Sequence, residues 1–208
     1  MARIDRLDRQ RRSQLLRSAA EEFAARGFER ASLERVARAA GVSKASLYYY
    51  FEDKADVYAS ILGAAWEVLL PRGRGPDPGS LDRDDFWPEL RREYFALVER
   101  SQQEPWLVAA GKLFYDIAGG AGPGEVNEAF RARALAYLRA LLARGRELGV
   151  VRGDLPDDLL LVMVFAAAQA ADRWMVARWD ELGEERIQAL SGSLFELLQR
   201  MVAAGEER

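Results

Sequence analysis

The chain has 208 residues, enough for one large domain or two of modest size. Half of the residues are hydrophobic, 30% are charged and 10% are aromatic, which is typical of a globular protein. The chain contains no cysteine and no histidine. This excludes disulfides, thiolate nucleophiles, His/Cys zinc sites and catalytic triads with an imidazole base, so we expect neither a cofactor nor a metal ion.

The first residues are rich in arginine but lack an apolar run, so we expect no secretory signal. The longest charge-free stretch of the apolar C-terminal region is the 13 residues between Asp158 and Asp172. A bilayer requires about 20 apolar residues in a helix. We therefore expect a soluble, cytoplasmic protein with no membrane partner.

Charge is unevenly divided along the chain. Residues 1–54 carry 12 Lys/Arg against 8 Asp/Glu, a net charge of +4, and residues 55–208 carry a net charge of −7. A basic segment on an acidic body is expected when one end of a protein meets a polyanion. A solvated helix face with surplus arginine would produce the same imbalance, so charge alone leaves both interpretations open.

Apolar residues recur every three or four positions along almost the whole chain, which predicts an all-α protein of nine helices. The first helix is expected to end at Gly27, because glycine readily adopts the left-handed conformation of a helix C-cap. A short second helix follows Ser32, whose hydroxyl is the expected N-cap, and closes at Gly41. The third helix begins at Ser43, a second hydroxyl N-cap.

The second and third helices, joined by a tight turn and backed by the first, form a helix-turn-helix, which suits the placing of one helix in a DNA major groove. The third helix uses Leu47 and Phe51 for packing and leaves Lys44 and Ser46 at the end that reaches base edges. The tyrosines at 48–50 either face DNA or fill space between helices. They span about 200° of a helix, so at least one is exposed.

The central helices are separated by glycine-rich and proline-rich segments. Asp53 is the expected cap of a fourth helix, which stops at Pro71. Residues 71–80 and residues 119–124 are loops by composition.

Residues 27–54, GFERASLERVARAAGVSKASLYYYFEDK, resemble the TetR family of bacterial transcriptional regulators, and the match extends over roughly residues 10–58. The resemblance implies a helix-turn-helix DNA-binding domain at 1–54 and a helical ligand-sensing and dimerisation domain at 55–208. It also implies DNA base contacts from Lys44, Ala45, Ser46 and Tyr49, and DNA backbone contacts from Ser32, Tyr48, Tyr50 and Lys54. Leu33 lies where other members carry a basic residue that contacts a base.

The last two helices are predicted from Asp157 to about Trp179 and from about Gly183 to Ala204. The first is apolar all round and must be covered on more than one side, and the second is apolar on one face. They suit a four-helix interface with a second copy, although ordinary core helices remain an alternative. The expected dimer residues are Leu160, Met163, Val164, Ala167, Leu190, Leu194, Leu197 and Met201.

Aromatic residues crowd the middle helices, and a few polar residues interrupt otherwise apolar helices. Such a combination is typical of a small-molecule pocket, although many of these aromatics must simply form the core. The candidate pocket residues are Trp66, Tyr94, Trp106, Lys112, Phe114, Asp116, Phe165, Gln169 and Arg173.

The sequence therefore predicts a dimeric DNA-binding regulator, a repressor released from a pseudo-palindromic operator by a small apolar or aromatic effector. The alternatives are an α-helical enzyme or a small-molecule-binding protein without DNA function, and a membrane-surface protein. The chain contains no GxGxxG, GxxxxGK[ST], HExxH or GxSxG motif, which disfavours an enzyme.

Overall fold

The computed structural model describes residues 8–69, 76–117 and 122–205. Within these ranges the chain forms nine α-helices and no strand, which confirms the all-α prediction. The helices are α1 (Arg9–Arg30), α2 (Leu33–Ala39), α3 (Lys44–Tyr50), α4 (Lys54–Leu69), α5 (Phe86–Gln103), α6 (Pro105–Phe114), α7 (Gly124–Glu147), α8 (Asp157–Arg178) and α9 (Glu184–Val202). The predicted loops at 71–80 and 119–124 lie partly outside the described residues.

The chain folds as two compact units, which are described separately below. The first contains the described parts of residues 1–69 and 104–128, and the second those of 70–103 and 129–208. Helices α4 and α6 belong to the first unit because both pack against α1. The predicted functional boundary after residue 54 therefore falls inside this unit, and it stays a prediction.

The core of the first unit is built on one apolar face of α1. Leu15, Leu16 and Phe23 of this helix are at most 2% exposed. Tyr58 of α4 is equally buried, and its hydroxyl lies 3.0 Å from Asn127 Oδ1 and 3.2 Å from the Leu113 carbonyl oxygen. Because a buried hydroxyl requires a partner, this pair of acceptors stabilises Tyr58 in the core.

The end of α1 differs from the prediction. Gly27 has the left-handed φ of +73°, as expected of a glycine, but it kinks the helix instead of ending it. One further turn follows, and α1 ends at Arg30. The positive φ interrupts the regular hydrogen bonds only locally, since the Ala31 N–H still donates to the Gly27 carbonyl.

The helix-turn-helix closes as the sequence predicts, with one correction. Gly41 has a φ of +67° in the turn, and Ser43 caps α3 by accepting a hydrogen bond from the Ser46 N–H at 3.0 Å. Ser32 precedes α2 but its side chain makes no capping hydrogen bond. The Ser32 N–H instead donates to Glu22 Oε1 at 3.0 Å, so an acidic residue of α1 anchors the start of α2.

The second unit has two apolar clusters. The larger contains Phe86 of α5, Leu141 of α7 and Leu160 of α8, and the smaller joins Val98 of α5, Met175 of α8 and Ile187 of α9. The segment after α7 pairs with the end of α9, because the Arg152 N–H donates to the Val202 carbonyl and the Ala204 N–H to the Val150 carbonyl. Helices α8 and α9 also pack against each other.

Helix α8 is unusually apolar for its exposure. Together with the 3₁₀ turn that follows, it spans Asp157–Glu181, and an 18-residue window has a mean hydropathy of 1.5 with 22% of it buried. By length and composition this helix meets the requirements of a membrane span. The count of 13 charge-free residues between Asp158 and Asp172 did not reveal this, because a span tolerates a few charged residues. A single such helix is weak evidence for a span, because an apolar helix of a soluble protein has the same properties.

Candidate nucleic-acid interface

Helix α3 is attached to the first unit by two buried side chains. Leu47 within the helix and Phe51 at its C-cap are each 1% exposed, as the spacing of four predicts. The hydroxyl of Ser43 caps the other end. This seven-residue helix is therefore held at both ends and in the middle, which leaves the rest of its surface free to meet a partner.

The outer face of α3 presents a cation and two aromatic hydroxyls. Lys44 and Ala45 are exposed, and Tyr48 and Tyr49 are 46% and 54% exposed. Tyr50 is half-buried, and its ring packs edge-on against Tyr49 with centroids 5.1 Å apart. The expectation that the three tyrosines cannot all face one core is confirmed.

Ser46 lies deeper than Lys44 or Ala45. Its side chain is half-buried, and its Oγ lies 2.9 Å from Ser43 Oγ. A hydroxyl combines one donor with two acceptor positions, so Ser46 retains capacity for a further hydrogen bond.

Glu34 is a charged neighbour of α3 that sequence reasoning missed. This α2 side chain is exposed and forms an ion pair and hydrogen bond with the Lys44 ammonium. That hydrogen bond and the positive charge of Lys44 lower the pKa of Glu34, and the same pair raises the pKa of Lys44. Leu33 lies where the resemblance places a basic, base-contacting residue in other members, but here its side chain is only 8% exposed and belongs to the core. In the first turn of α2, the exposed side chain is therefore that of Glu34.

Glu22 of α1 links the first two helices of the module. Its carboxylate accepts hydrogen bonds from the Ser32 N–H at 3.0 Å and from Arg35 Nε at 2.8 Å, and its side chain is 13% exposed. Burial raises the pKa of Glu22, but these hydrogen bonds and the charges of Arg35 and Arg26 outweigh it, so the net shift is downward. The carboxylate is therefore a structural anion that fixes α2 against α1.

Lys54 makes contacts within the fold that its sequence position did not predict. Its ammonium donates to the carbonyl oxygens of Phe28 and Glu29 at 3.0 and 2.8 Å and lies 5.4 Å from the centre of the Phe28 ring. Two of its three N–H donors are thus engaged by backbone just after the kink in α1, and they tie the start of α4 to the end of α1. The expected contact of Lys54 with a DNA phosphate stays a prediction.

A known protein family matches the helix-turn-helix part of this chain. Residues 15–61 match the family described as "Bacterial regulatory proteins, tetR family". The HTH-type transcriptional repressor BepR of Brucella suis is 34% identical over 95 residues, 44% of this chain and 46% of BepR. The HTH-type transcriptional activator FasR of Mycolicibacterium smegmatis is 44% identical over 102 residues, 49% of this chain and 47% of FasR. The chain thus spans about half the length of these curated relatives.

One solved structure extends the likeness to the whole chain. The TetR family transcriptional regulator PfmR from Thermus thermophilus superposes on 97% of this chain and 100% of its own, with a TM-score of 0.66 and 26% identity. Together these findings support a TetR-family regulator, and the family model itself matches residues 15–61. The residues beyond this match are characterised by their own packing.

The candidate pocket residues fall into two groups. Trp106 is 6% exposed and is part of the first unit's core. Asp116 is exposed, with a φ of +52° in the turn after α6. The other members of the first unit's group are the half-buried Trp66, Lys112 and Phe114.

The second group belongs to the second unit. Tyr94 packs against the smaller apolar cluster, and burial followed by the negative charge of Asp172 raises its pKa to about 12. Phe165 and Gln169 are half-buried on α8, and Arg173 is exposed. A cleft between α7 and α8 is lined by other residues, among them Arg139, Arg146 and Leu161, so it does not correspond to the expected pocket.

The expected dimer residues need correction on α8. Leu160 and Val164 are 1% and 6% exposed inside the larger cluster of their own subunit, so they are unavailable to a partner. Met163, a predicted member, is 44% exposed, and Leu159 and Val162, which were not predicted, are 46% and 61% exposed. Because α8 is apolar all round, its sequence did not reveal which side was already covered.

On α9 only part of the expected set is exposed. Leu197 is 56% exposed, whereas Leu190 and Leu194 pack partly against the smaller cluster. Met201 packs partly against the larger cluster, and Ala167 on α8 is half-buried. Fewer of the predicted residues are therefore exposed than expected, and the most exposed aliphatic side chains of the two helices are Val162, Leu197 and Leu159.

Proposed function

We propose that this protein is a cytoplasmic, homodimeric transcriptional regulator that inserts α3 into the major groove of a pseudo-palindromic operator. The observation that carries the proposal is the outer face of α3, where a lysine and two tyrosines stand exposed on a helix anchored by buried Leu47 and Phe51. The relatives reported above are named as transcriptional regulators, which favours a regulator over the enzyme alternative.

The chemistry of this face divides between bases and phosphates. The Lys44 ammonium suits the O6 and N7 acceptors of guanine, and the Ser46 hydroxyl can bond several bases. Ala45 and Tyr49 are proposed to contact bases in the same major groove. The hydroxyls of Ser32, Tyr48 and Tyr50 suit phosphate oxygens, which position the helix without reading sequence.

A second copy is the proposed cover for the exposed apolar surface of α8 and α9. An isologous dimer buries the same patch twice, and two recognition helices separated by one DNA turn, about 34 to 36 Å, read a pseudo-palindrome. The α8 stripe of Leu159, Val162 and Met163 supplies the apolar surface, and the match of residues 15–61 to the tetR family favours a second copy over a membrane as its partner.

The proposed effector is a small apolar or aromatic molecule held among the candidate pocket aromatics. It regulates only if it binds one arrangement of the dimer better than the other, because equal affinity shifts no population. Helix α4 follows the helix-turn-helix directly in the chain and is the proposed lever. We propose repression as the sign of regulation; among the relatives, BepR is named a repressor and FasR an activator.

Selection of bound sequences from random duplex DNA tests the DNA proposal. The wild-type protein is expected to enrich a two-fold symmetric motif. Lys44→Ala should relax base preference at one position of each half-site, and Tyr48→Ala should weaken binding to operator and random duplex alike. Arg83→Ala, which removes an exposed cation outside the helix-turn-helix, is the control.

Binding is measured by fluorescence anisotropy at several salt concentrations, because counterion release makes the affinity depend on salt. Loss of a cationic phosphate contact lowers the slope of log K against log salt by about one, whereas Tyr48→Ala removes a neutral hydroxyl and should weaken binding with little change in this slope. Enrichment of no motif by the wild type, or unchanged binding by folded Lys44→Ala and Tyr48→Ala variants, would refute the proposal.

A further inference from the structure

Glu34 is an exposed carboxylate on a surface proposed to meet a polyanion. Its side chain is 60% exposed, and that of its partner Lys44 is 61% exposed, so both groups are accessible from solvent. A carboxylate close to DNA phosphates is repelled unless it finds a hydrogen-bond donor. The position of Glu34 therefore calls for a donor on the DNA.

The ion pair places Glu34 beside the base-reading end of α3. Glu34 lies in the first turn of α2 and Lys44 is the first residue of α3, so the contact bridges the two helices of the motif. The ammonium proposed to bind guanine and this carboxylate are consequently immediate neighbours. No rearrangement of the helices is needed for both to face the same stretch of groove.

The charge state of Glu34 decides what it can bind. The hydrogen bond and charge of Lys44 lower its pKa, and the charge of Arg38 adds to this effect. The group is therefore an anion at neutral pH and can only accept hydrogen bonds. In the major groove, a carboxylate characteristically accepts from the exocyclic N4 amino group of cytosine.

We propose that Glu34 is a specificity-determining residue that accepts a hydrogen bond from the N4 amino group of a cytosine next to the guanine bound by Lys44. Where the cytosine is absent, the Glu34 carboxylate has no donor on the DNA, and its negative charge weakens non-specific binding. This inference rests on the proposed DNA-binding function. It adds a base contact from α2, which the assignment of base readout to α3 does not contain.

The test compares wild type with Glu34→Gln and Glu34→Ala in selection from random duplex DNA. Glu21→Gln, which removes one exposed carboxylate from α1, is the charge-matched control. We expect both Glu34 variants to lose the cytosine preference at one position per half-site, with discrimination there falling about fivefold or more. Glu34→Gln is expected to shift that position towards adenine, the base that glutamine pairs with.

Affinity for a scrambled duplex of the selected length provides a second measurement. Removal of the Glu34 charge should tighten this binding by about two- to fivefold relative to wild type, and Glu21→Gln should change it much less. If both Glu34 variants select the same motif as wild type, the inference is overturned. This holds even if both variants bind operator and scrambled duplex more tightly by the same factor, because Glu34 then only neutralises Lys44. If the wild type itself enriches nothing, the proposed function fails instead.

Discussion

The two surfaces assigned to partners differ in chemistry. On α3 the exposed aromatics are tyrosines, and a lysine and serines surround them. On α8 the exposed large side chains include Leu159, Val162 and Met163, which have no hydrogen-bonding group. The two surfaces therefore suit different partners. The hydroxyls and cation of α3 suit phosphates and base edges, whereas the aliphatic stripe of α8 suits another apolar surface.

The two surfaces also differ in how they are supported. In the helix-turn-helix, the buried residues Leu47 and Phe51 alternate with the exposed ones in a regular pattern, so each residue has one role. On α8 apolar residues occupy both the buried side, as Leu160 does, and the exposed side, as Val162 does. Substitutions that separate folding from binding are thus straightforward on α3, while on α8 the side of the helix decides the outcome.

The largest expected effect is loss of the dimer through a charge on the exposed side of α8. Val162→Asp places one uncompensated carboxylate from each subunit in an isologous interface, at a cost of several kcal/mol. Sedimentation velocity should show wild type at twice the 23.4 kDa chain mass and the variant at the chain mass. Ala136→Asp, at an exposed position on α7, is the control and should remain dimeric. A dimeric Val162→Asp protein would contradict the proposed interface.

A somewhat smaller effect is expected within α3. Leu47→Ala removes a side chain that is 1% exposed and should lower the free energy of unfolding by about 2–5 kcal/mol. Tyr48→Ala, at a 46% exposed neighbour, should change it by only about 0.5 kcal/mol while weakening DNA binding. Urea denaturation at equal protein concentration measures both. Equal destabilisation by the two variants would mean that the tyrosine, like the leucine, serves the core.

The smallest expected effect concerns the carboxylate that links α1 and α2. Glu22→Gln keeps an oxygen that can accept from the Ser32 N–H but removes the charge that faces Arg35, at a cost of roughly 1 kcal/mol near neutral pH. Because the folded pKa of Glu22 lies below its ordinary value of 4.5, its stabilisation is present above pH 4.5 and is lost as the pH falls through the folded pKa.

The stability difference between wild type and Glu22→Gln should therefore shrink on acidification below about pH 4.5. Unfolding curves for both proteins at pH 7 and at descending pH values measure this difference. Glu29→Gln, at an exposed position of α1, is the control and should show little pH dependence. A difference that stays constant with pH would show that the charge of Glu22 contributes nothing.

The amino-acid sequence alone determined the helical class, the nine helices found among the described residues and the helix-turn-helix. These features depend on local chemistry: apolar periodicity, the left-handed preference of Gly41, the capping hydroxyl of Ser43 and the spacing of Leu47 and Phe51. Neighbours within a few residues determine each of them, so they can be deduced without knowledge of distant contacts. For the same reason the family was recognisable from residues 27–54.

Only the tertiary structure decided which partner each side chain meets across the fold. Lys54 meets carbonyls 25 and 26 residues away, Ser32 meets Glu22, and Lys44 meets Glu34, none of which a local pattern encodes. The exposed side of α8 likewise depends on which residues the rest of the second unit covers, and in an all-apolar helix no periodicity distinguishes Val162 from Leu160. Long-range packing selects among faces that the sequence leaves equivalent, which is why the exposed side of α8 emerged only from the fold.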